Sequence, residues 1–161
     1  MSLNLPKTIK FVITDFDGII TDNCVYIEDG GKISRKLNFQ DIIGFSLLKK
    51  NNYGIGIISG EKNSAIDIIS KKFNIEEVHQ DIRIKIDVLK SIISKYNLKK
   101  DEFVYIGDDI NDFEPLNFAE YAVTVPNAVK KIKEIKGIQI TEANGGAGAF
   151  REIADTLVNH G

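Results

Sequence analysis

The sequence predicts an α/β fold, a doubly wound parallel sheet with helices on both faces. Three observations lead there. Short apolar runs rich in Ile, Val, Phe and Tyr alternate with segments of helical spacing almost throughout the chain. The runs are apolar at successive positions, as strands buried on both faces require. Acidic and small polar residues cluster at the ends of these runs, where open parallel sheets bind ligands.

The elements follow in order. Residues 9–14 read as the leading strand, ending at Thr14-Asp15-Phe16-Asp17-Gly18. Residues 24–38 break the alternation and read as a projecting β-hairpin, because Asp29-Gly30-Gly31 supplies the positive φ angles of a tight turn. Val25, Tyr26, Ile27, Ile33 and Leu37 would then be apolar surface on a ribbon that is marginal alone. Ile42, Phe45 and Leu48 mark a helix, and residues 54–59 a second buried strand. Ile66, Ile69 and Phe73 mark the next helix, and a short strand ends near His79, read as structural. Ile86, Leu89, Ile92 and Tyr96 form a helix opened by Lys85. Strands at 103–107 and 121–125 follow, then a helix through Val129, Ile132 and Ile135. Strand–helix alternation of this kind requires crossover connections and hence parallel pairing. Residues 1–161 read as one domain, with His160 expected to be disordered next to the terminus.

Composition narrows the class. At 161 residues the chain can bury a full core. A formal net charge of −2 argues against nucleic-acid binding driven by phosphate contacts. No apolar run is long enough for a transmembrane helix, so no membrane association is expected, and no secretory pattern is visible. The single cysteine, Cys24, cannot form an internal disulfide, which fits a reducing cytoplasm.

Four polar pieces stand at strand ends. Asp15 and Asp17 are costly to bury as charges, and like charges that close need a cation between them. A hard divalent ion with oxygen ligands, Mg2+, suits Asp15, Asp17 and Asp108. One carboxylate can attack phosphorus, and the other can protonate a leaving oxygen and later deprotonate water. Ser59 and the N–H of Gly60 can hold phosphate oxygens. Lys85 can neutralise the nucleophile and the phosphoryl group. Asp109 and Asp112 are further ligands or anchors behind them. Glu61, Lys72 and Arg151 complete the candidate substrate-binding residues. Each piece has a plainer explanation alone: a turn at Ser-Gly, a solvated lysine, an acidic helix cap. Their occurrence in order at strand ends favours catalysis.

These residues resemble the haloacid-dehalogenase-like (HAD) phosphatase superfamily, whose order is D-x-D, S/T, K and an acidic G-D-D-x-x-D. Within it, Asp15 to Asp22, the hairpin, Ile106-Gly107-Asp108-Asp109 and Gly145-Gly146-Ala147-Gly148-Ala149-Phe150-Arg151-Glu152 look like the sugar-acid phosphatases. Those enzymes act on 3-deoxy-D-manno-octulosonate 8-phosphate or on nine-carbon sugar-acid 9-phosphates. The resemblance implies a Rossmann-like core without a cap domain, magnesium, and a homotetramer built around the hairpins. It also implies that the Gly145-Gly146 tail closes over a site. Spacing agrees on the cap: only the hairpin and one helix fit between Asp17 and Ser59, and one helix and a short strand between Gly60 and Lys85.

Departures bear on the substrate. Glu61 follows Ser-Gly where the octulosonate enzymes usually carry Arg, which resembles the nine-carbon enzymes instead. Gln40-Asp41-Ile42 replaces the common R-D-G, and Ile84 replaces an Asp before the lysine. Two other classes compete. A signalling receiver also uses acidic residues, Ser/Thr and Lys, but lacks D-x-D on its first strand. A non-catalytic oligomerisation domain, as in acylneuraminate cytidylyltransferase fusions, would not need the intact acidic, serine and lysine set.

Overall fold

The computed structural model describes residues 2–159; the expectation for His160 falls outside them. Six parallel strands form one sheet in the order β5-β4-β1-β6-β7-β8. The strands are β1 (Phe11–Thr14), β4 (Gly54–Ile58), β5 (Glu77–His79), β6 (Phe103–Ile106), β7 (Tyr121–Thr124) and β8 (Gln139–Ile140). β1 lies at the centre, with Phe11 level with Gly54 on one side and Phe103 on the other. The chain winds outward from β1 through β4 and β5, then returns to the other flank of β1 at β6. That reversal opens a crevice at the carboxyl ends of β1 and β6.

Val12, Ile13, Ile57, Val104, Tyr105 and Ile106 are fully buried, so the apolar runs are central strands covered on both faces. On one face lie α1 (Phe39–Lys50), α2 (Ser64–Phe73) and α6 (Ala149–Val158), with α1 packed on the other two. Phe45 of α1 joins them, its ring 5.8 Å from Phe73 and 4.4 Å from Phe150. On the other face α3 (Lys85–Lys95) packs on α4 (Phe113–Phe118), and α5 (Lys130–Lys133) is a single turn. α2 begins where Asn63 accepts the Ile66 N–H at 3.1 Å, an ordinary N-cap. The expected strands are present; those at 54–59, 103–107 and 121–125 end one residue earlier, and the leading strand begins at Phe11 rather than residue 9 but ends at Thr14 as expected. β8, two residues long, carried too little pattern to be recognised.

The hairpin is shorter than its sequence suggests. β2 (Tyr26–Ile27) and β3 (Ile33–Ser34) pair antiparallel around Gly30 and Gly31, both at positive φ. Beyond them the returning arm pairs with the chain after β1, through a Thr21–Leu37 bridge. Leu37 therefore packs against the core and is not ribbon surface, while Val25, Tyr26 (59% exposed), Ile27 (70%) and Ile33 are open apolar positions of the ribbon, with Phe39 (79%) open at the start of α1. His79 ends β5 and hydrogen-bonds Glu77 at 2.9 Å, the structural role expected of it.

Candidate active site

Asp15 follows the last residue of β1, and its N–H still donates to the Ile106 carbonyl at 2.9 Å, extending the ladder. The chain then turns sharply. The N–H groups of Ile19, Ile20 and Thr21 all point to the Phe16 carbonyl. Asp15 and Asp17 thus flank a turn. Gly18 makes the turn possible: its φ is +89°, and a Cβ there would lie 2.0 Å from an Asp108 carboxylate oxygen.

Lys85, the first residue of α3, is buried and places its Nζ 2.8 Å from both Asp15 Oδ2 and Asp112 Oδ1. Burial alone would lower its pKa, but the two carboxylates outweigh that and hold it above the ordinary value. Asp112 is saturated. Its Oδ1 accepts from Lys85 and from the Tyr105 hydroxyl at 2.8 Å, and its Oδ2 accepts the N–H groups of Asp108 at 3.1 Å and Asp109 at 3.3 Å. It anchors the acidic loop after β6 to the lysine. Asp109 accepts the Ile110 N–H at 2.6 Å and so caps the turn that carries Asp112.

Asp108 is different. Its Oδ1 is buried without a hydrogen-bond partner among the described residues, and its Oδ2 meets only the Asn23 amide at 3.4 Å. Burial, with Asp112 and Asp109 nearby, pushes its pKa up to about 7. Burial, then Asp112, also raises Asp15 well above the carboxylate range, against the pull of Lys85. Carboxylate oxygens of Asp15, Asp108 and Asp112 lie within 4.8 Å of one another. An orphaned buried oxygen in an all-carboxylate cluster fits a hard divalent cation. Because Asp112 has no oxygen to spare, Asp15 and Asp108 are the residues that could hold it.

Asp17 stands apart from that cluster. Its Oδ1 takes the Arg35 Nε–H at 3.0 Å and the Thr21 hydroxyl at 3.1 Å. The metal set expected from the sequence included Asp17; the turn at Gly18 directs its side chain toward the hairpin, outside the group formed by Asp15, Asp108 and Asp112. A cleft of about 150 Å3 is lined by Asp15, Asp17, Ser59, Gly60, Glu61, Asp108 and Asp109, together with Asn23 and Asn111. Ser59 also shapes its own turn, its hydroxyl donating to the Glu61 carbonyl at 2.8 Å.

Two expected substrate residues lie elsewhere. Lys72 sits in the last turn of α2, its Nζ 5.6 Å from the Phe73 ring centre. A helix that leaves the carboxyl end of β4 runs back toward the opposite edge of the sheet, which carries Lys72 away from the cleft. Arg151 is in the first turn of α6, paired with Asp155 at 2.9 Å, beside a different hollow formed with Gln40 and Gly148. The glycine tail is docked on its own chain, against the turn after β1. Gly146 donates to the Ile19 carbonyl, and a Cβ on Gly145 would meet the Gly18 carbonyl oxygen at 1.7 Å. Buried Asp41 of α1 fixes this arrangement by accepting the N–H groups of Gly148 at 3.0 Å and Arg151 at 3.1 Å.

Sequence reasoning missed Asn23, Arg35, Asp41, Tyr105 and Asn111. Asn23 lies at φ +65°, a conformation Asn tolerates, so the Asp22-Asn23 pair was a turn signal. Asp41 stood in the sequence only as the middle of Gln40-Asp41-Ile42, without a role, and nothing local marks Arg35, Tyr105 and Asn111.

The doubly wound sheet carries, at its switch point, a buried lysine between two carboxylates and an acidic loop that suits a cation. A family model described as haloacid dehalogenase-like hydrolase matches residues 19–153. The chain belongs to that family, and by class it is a phosphomonoester hydrolase. Over 152 residues it is 24% identical to the 3-deoxy-D-manno-octulosonate 8-phosphate phosphatase KdsC of Salmonella typhi, covering 94% of this chain and 80% of that one. The crystal structure of the 3-deoxy-D-manno-octulosonate 8-phosphate phosphatase of Moraxella catarrhalis, in complex with magnesium, phosphate and KDO, matches with a TM-score of 0.88 at 27% identity. That match covers 95% of this chain and 87% of that one. A HAD superfamily (subfamily III A) hydrolase from Legionella pneumophila matches with a TM-score of 0.89 at 31% identity, covering 95% and 84%. The resemblance to the sugar-acid phosphatases holds.

Proposed function

We propose that the protein is a magnesium-dependent phosphatase of a sugar-acid phosphate, working through an aspartyl-phosphate. The carrying observation is the chain Asp15–Lys85–Asp112 beside an Asp108 oxygen that lacks a partner. Asp15 attacks phosphorus, and the ester bond to the sugar oxygen breaks. Asp17, outside the acidic cluster, donates a proton to that oxygen and then takes one from the water that cleaves the acyl phosphate. Lys85 holds Asp15 in place, and Ser59 and Gly60 receive phosphoryl oxygens. Asp15 and Asp108 would hold Mg2+, which would supply charge neutralisation for the phosphoryl group.

The relatives that support the substrate class are octulosonate phosphatases. Glu61 lines the cleft of this chain. A carboxylate there repels a sugar-acid carboxylate and suits hydroxyls or an amine, which favours a nine-carbon acid over the octulosonate. The open apolar positions of the hairpin support assembly into a homotetramer, and the reading places the enzyme in the cytoplasm. Phosphate release with magnesium, screened across eight- and nine-carbon sugar-acid phosphates, tests the function. A generic phosphomonoester such as p-nitrophenyl phosphate serves as the reference. Absence of any release reduces the fold to a non-catalytic assembly domain, and a kcat/KM favouring the octulosonate more than about tenfold reverses the substrate ranking.

A further inference from the structure

We infer that Arg35, on the returning arm of the hairpin, binds the carboxylate of the sugar acid while it holds Asp17. The inference rests on the sugar-acid phosphatase reading and assigns a residue to it. Its first support is the charge of the cleft. Five of the nine lining residues are carboxylates, and none is cationic. The buried Lys85 is already shared between Asp15 and Asp112. A substrate with an acid group beyond its phosphate needs a further cation.

Besides Lys85, Arg35 is in ionic contact with a cleft residue, and it is pre-positioned. Its side chain is only 13% exposed. The arm that carries it is stitched to the turn after β1 at three successive residues: Arg35 to Asp17 at 3.0 Å, Lys36 to Asp22 at 2.9 Å, and Leu37 to Thr21. Lys62 and Arg83 are exposed and make no ion pair among the described residues that would fix them. A cation already ordered loses less freedom on binding than one that must be recruited.

The atoms used matter. Arg35 spends its Nε–H on Asp17, and neither terminal nitrogen has a hydrogen-bond partner among the described residues. The outer edge of the guanidinium, with its two parallel N–H groups, remains open to a carboxylate in bidentate geometry. Position agrees with this. Asp17 serves the leaving oxygen in the proposed reaction, so its neighbour stands on the leaving-group side. A cleft of about 150 Å3 takes the phosphate end of the substrate, while drug-sized ligands fill about 300–1,000 Å3. The sugar acid therefore extends past Asp17.

The test compares R35Q and R35K with the wild type, using p-nitrophenyl phosphate, which has no carboxylate, and the better-used sugar-acid phosphate. A charge-assisted pair predicts that R35Q loses about 10- to 100-fold more kcat/KM on the sugar acid than on p-nitrophenyl phosphate. R35K should fall between, keeping charge without the fork. The free octulosonate, titrated into magnesium-loaded enzyme, should bind R35Q at least about tenfold more weakly. On the wild type alone, the methyl ester of the sugar acid should bind weaker than the acid by a similar factor, a readout that needs no variant to fold. Equal losses on both substrates, or ester and acid binding alike, overturn the inference and leave Arg35 as a support for Asp17. A wild type that hydrolyses neither substrate overturns the phosphatase reading itself, a separate result.

Discussion

Chelation should make the stability of this protein fall as pH rises, and magnesium should cancel that fall. The perturbed group is Asp108, whose pKa stands at about 7 in the fold against an ordinary 3.8. Between those values the folded chain binds a proton that the unfolded chain has released. The contribution is therefore full below about pH 3.8 and is lost as pH climbs through about 7. The difference of about 3 pKa units corresponds to about 4 kcal/mol for the metal-free protein. A divalent cation replaces the proton as partner of the orphaned Asp108 oxygen, so its stabilisation appears as the carboxylate ionises. The assay is the thermal midpoint with magnesium minus that with chelator, at pH 5 and pH 8. Taking the difference at each pH removes all groups that the metal does not touch. Between pH 5 and pH 8 about 2 of those pKa units are traversed, about 3 kcal/mol, so the gap should widen by roughly 6–12 °C, at about 2–4 °C per kcal/mol for a chain of this size. Asp108→Asn should collapse it. A gap that is the same at both pH values refutes the assignment of Asp108 as a metal-bearing carboxylate.

Other outcomes follow from named contacts. Asp15→Asn should abolish turnover while the chain stays folded, because an amide cannot attack phosphorus; steady-state activity within about tenfold of wild type would count against it. Asp17→Asn should slow both leaving-group departure and acyl-phosphate breakdown by about 10²–10⁴, read as kcat and as trapped phosphoenzyme. Asp41→Ala leaves the N–H groups of Gly148 and Arg151 without their acceptor and should cost about 2 kcal/mol, seen as a midpoint lower by about 4–8 °C. Charged residues in place of Tyr26 and Ile27 should lower the mass found by light scattering toward one chain; a wild type already monomeric and fully active removes the hairpin interface.

The sheet was legible because every central strand is a continuous apolar run, and burial on both faces leaves no other residue type there. Val12, Ile13, Val104 and Ile106 are all fully buried. Boundaries were less so. Asp15 and Gly107 still hydrogen-bond as ladder extensions at 2.9 Å and 3.3 Å, so composition continues past the point where pairing geometry stops. The hairpin was legible at its turn and misleading on its arms. Asp29-Gly30-Gly31 demands positive φ whatever surrounds it, whereas Leu37 is apolar in either place. Its burial depends on pairing with Thr21, a residue on another segment.

The same distinction separates the site residues that could be read from those that could not. Asp15, Ser59, Lys85 and Asp108 stand at strand or helix ends, and parallel topology alone brings such ends to one edge. Lys72 shows the limit of that rule, since the far end of a helix is carried to the opposite edge by the same topology. Arg35 and Asp41 act through contacts 18 and 107 residues away in sequence. Their partners are set by how the hairpin folds back on the first turn and how α6 returns to α1. Both contacts converge on one segment. The Gly18–Asp22 turn is held from one side by Arg35, Lys36 and Leu37, and from the other by Gly145 and Gly146. Asp17 opens that turn, so the position of the proposed proton-transfer group is fixed by two outlying parts of the chain. Neither part contains a catalytic motif, which is why a search for carboxylates at strand ends finds the chemistry without finding what aims it.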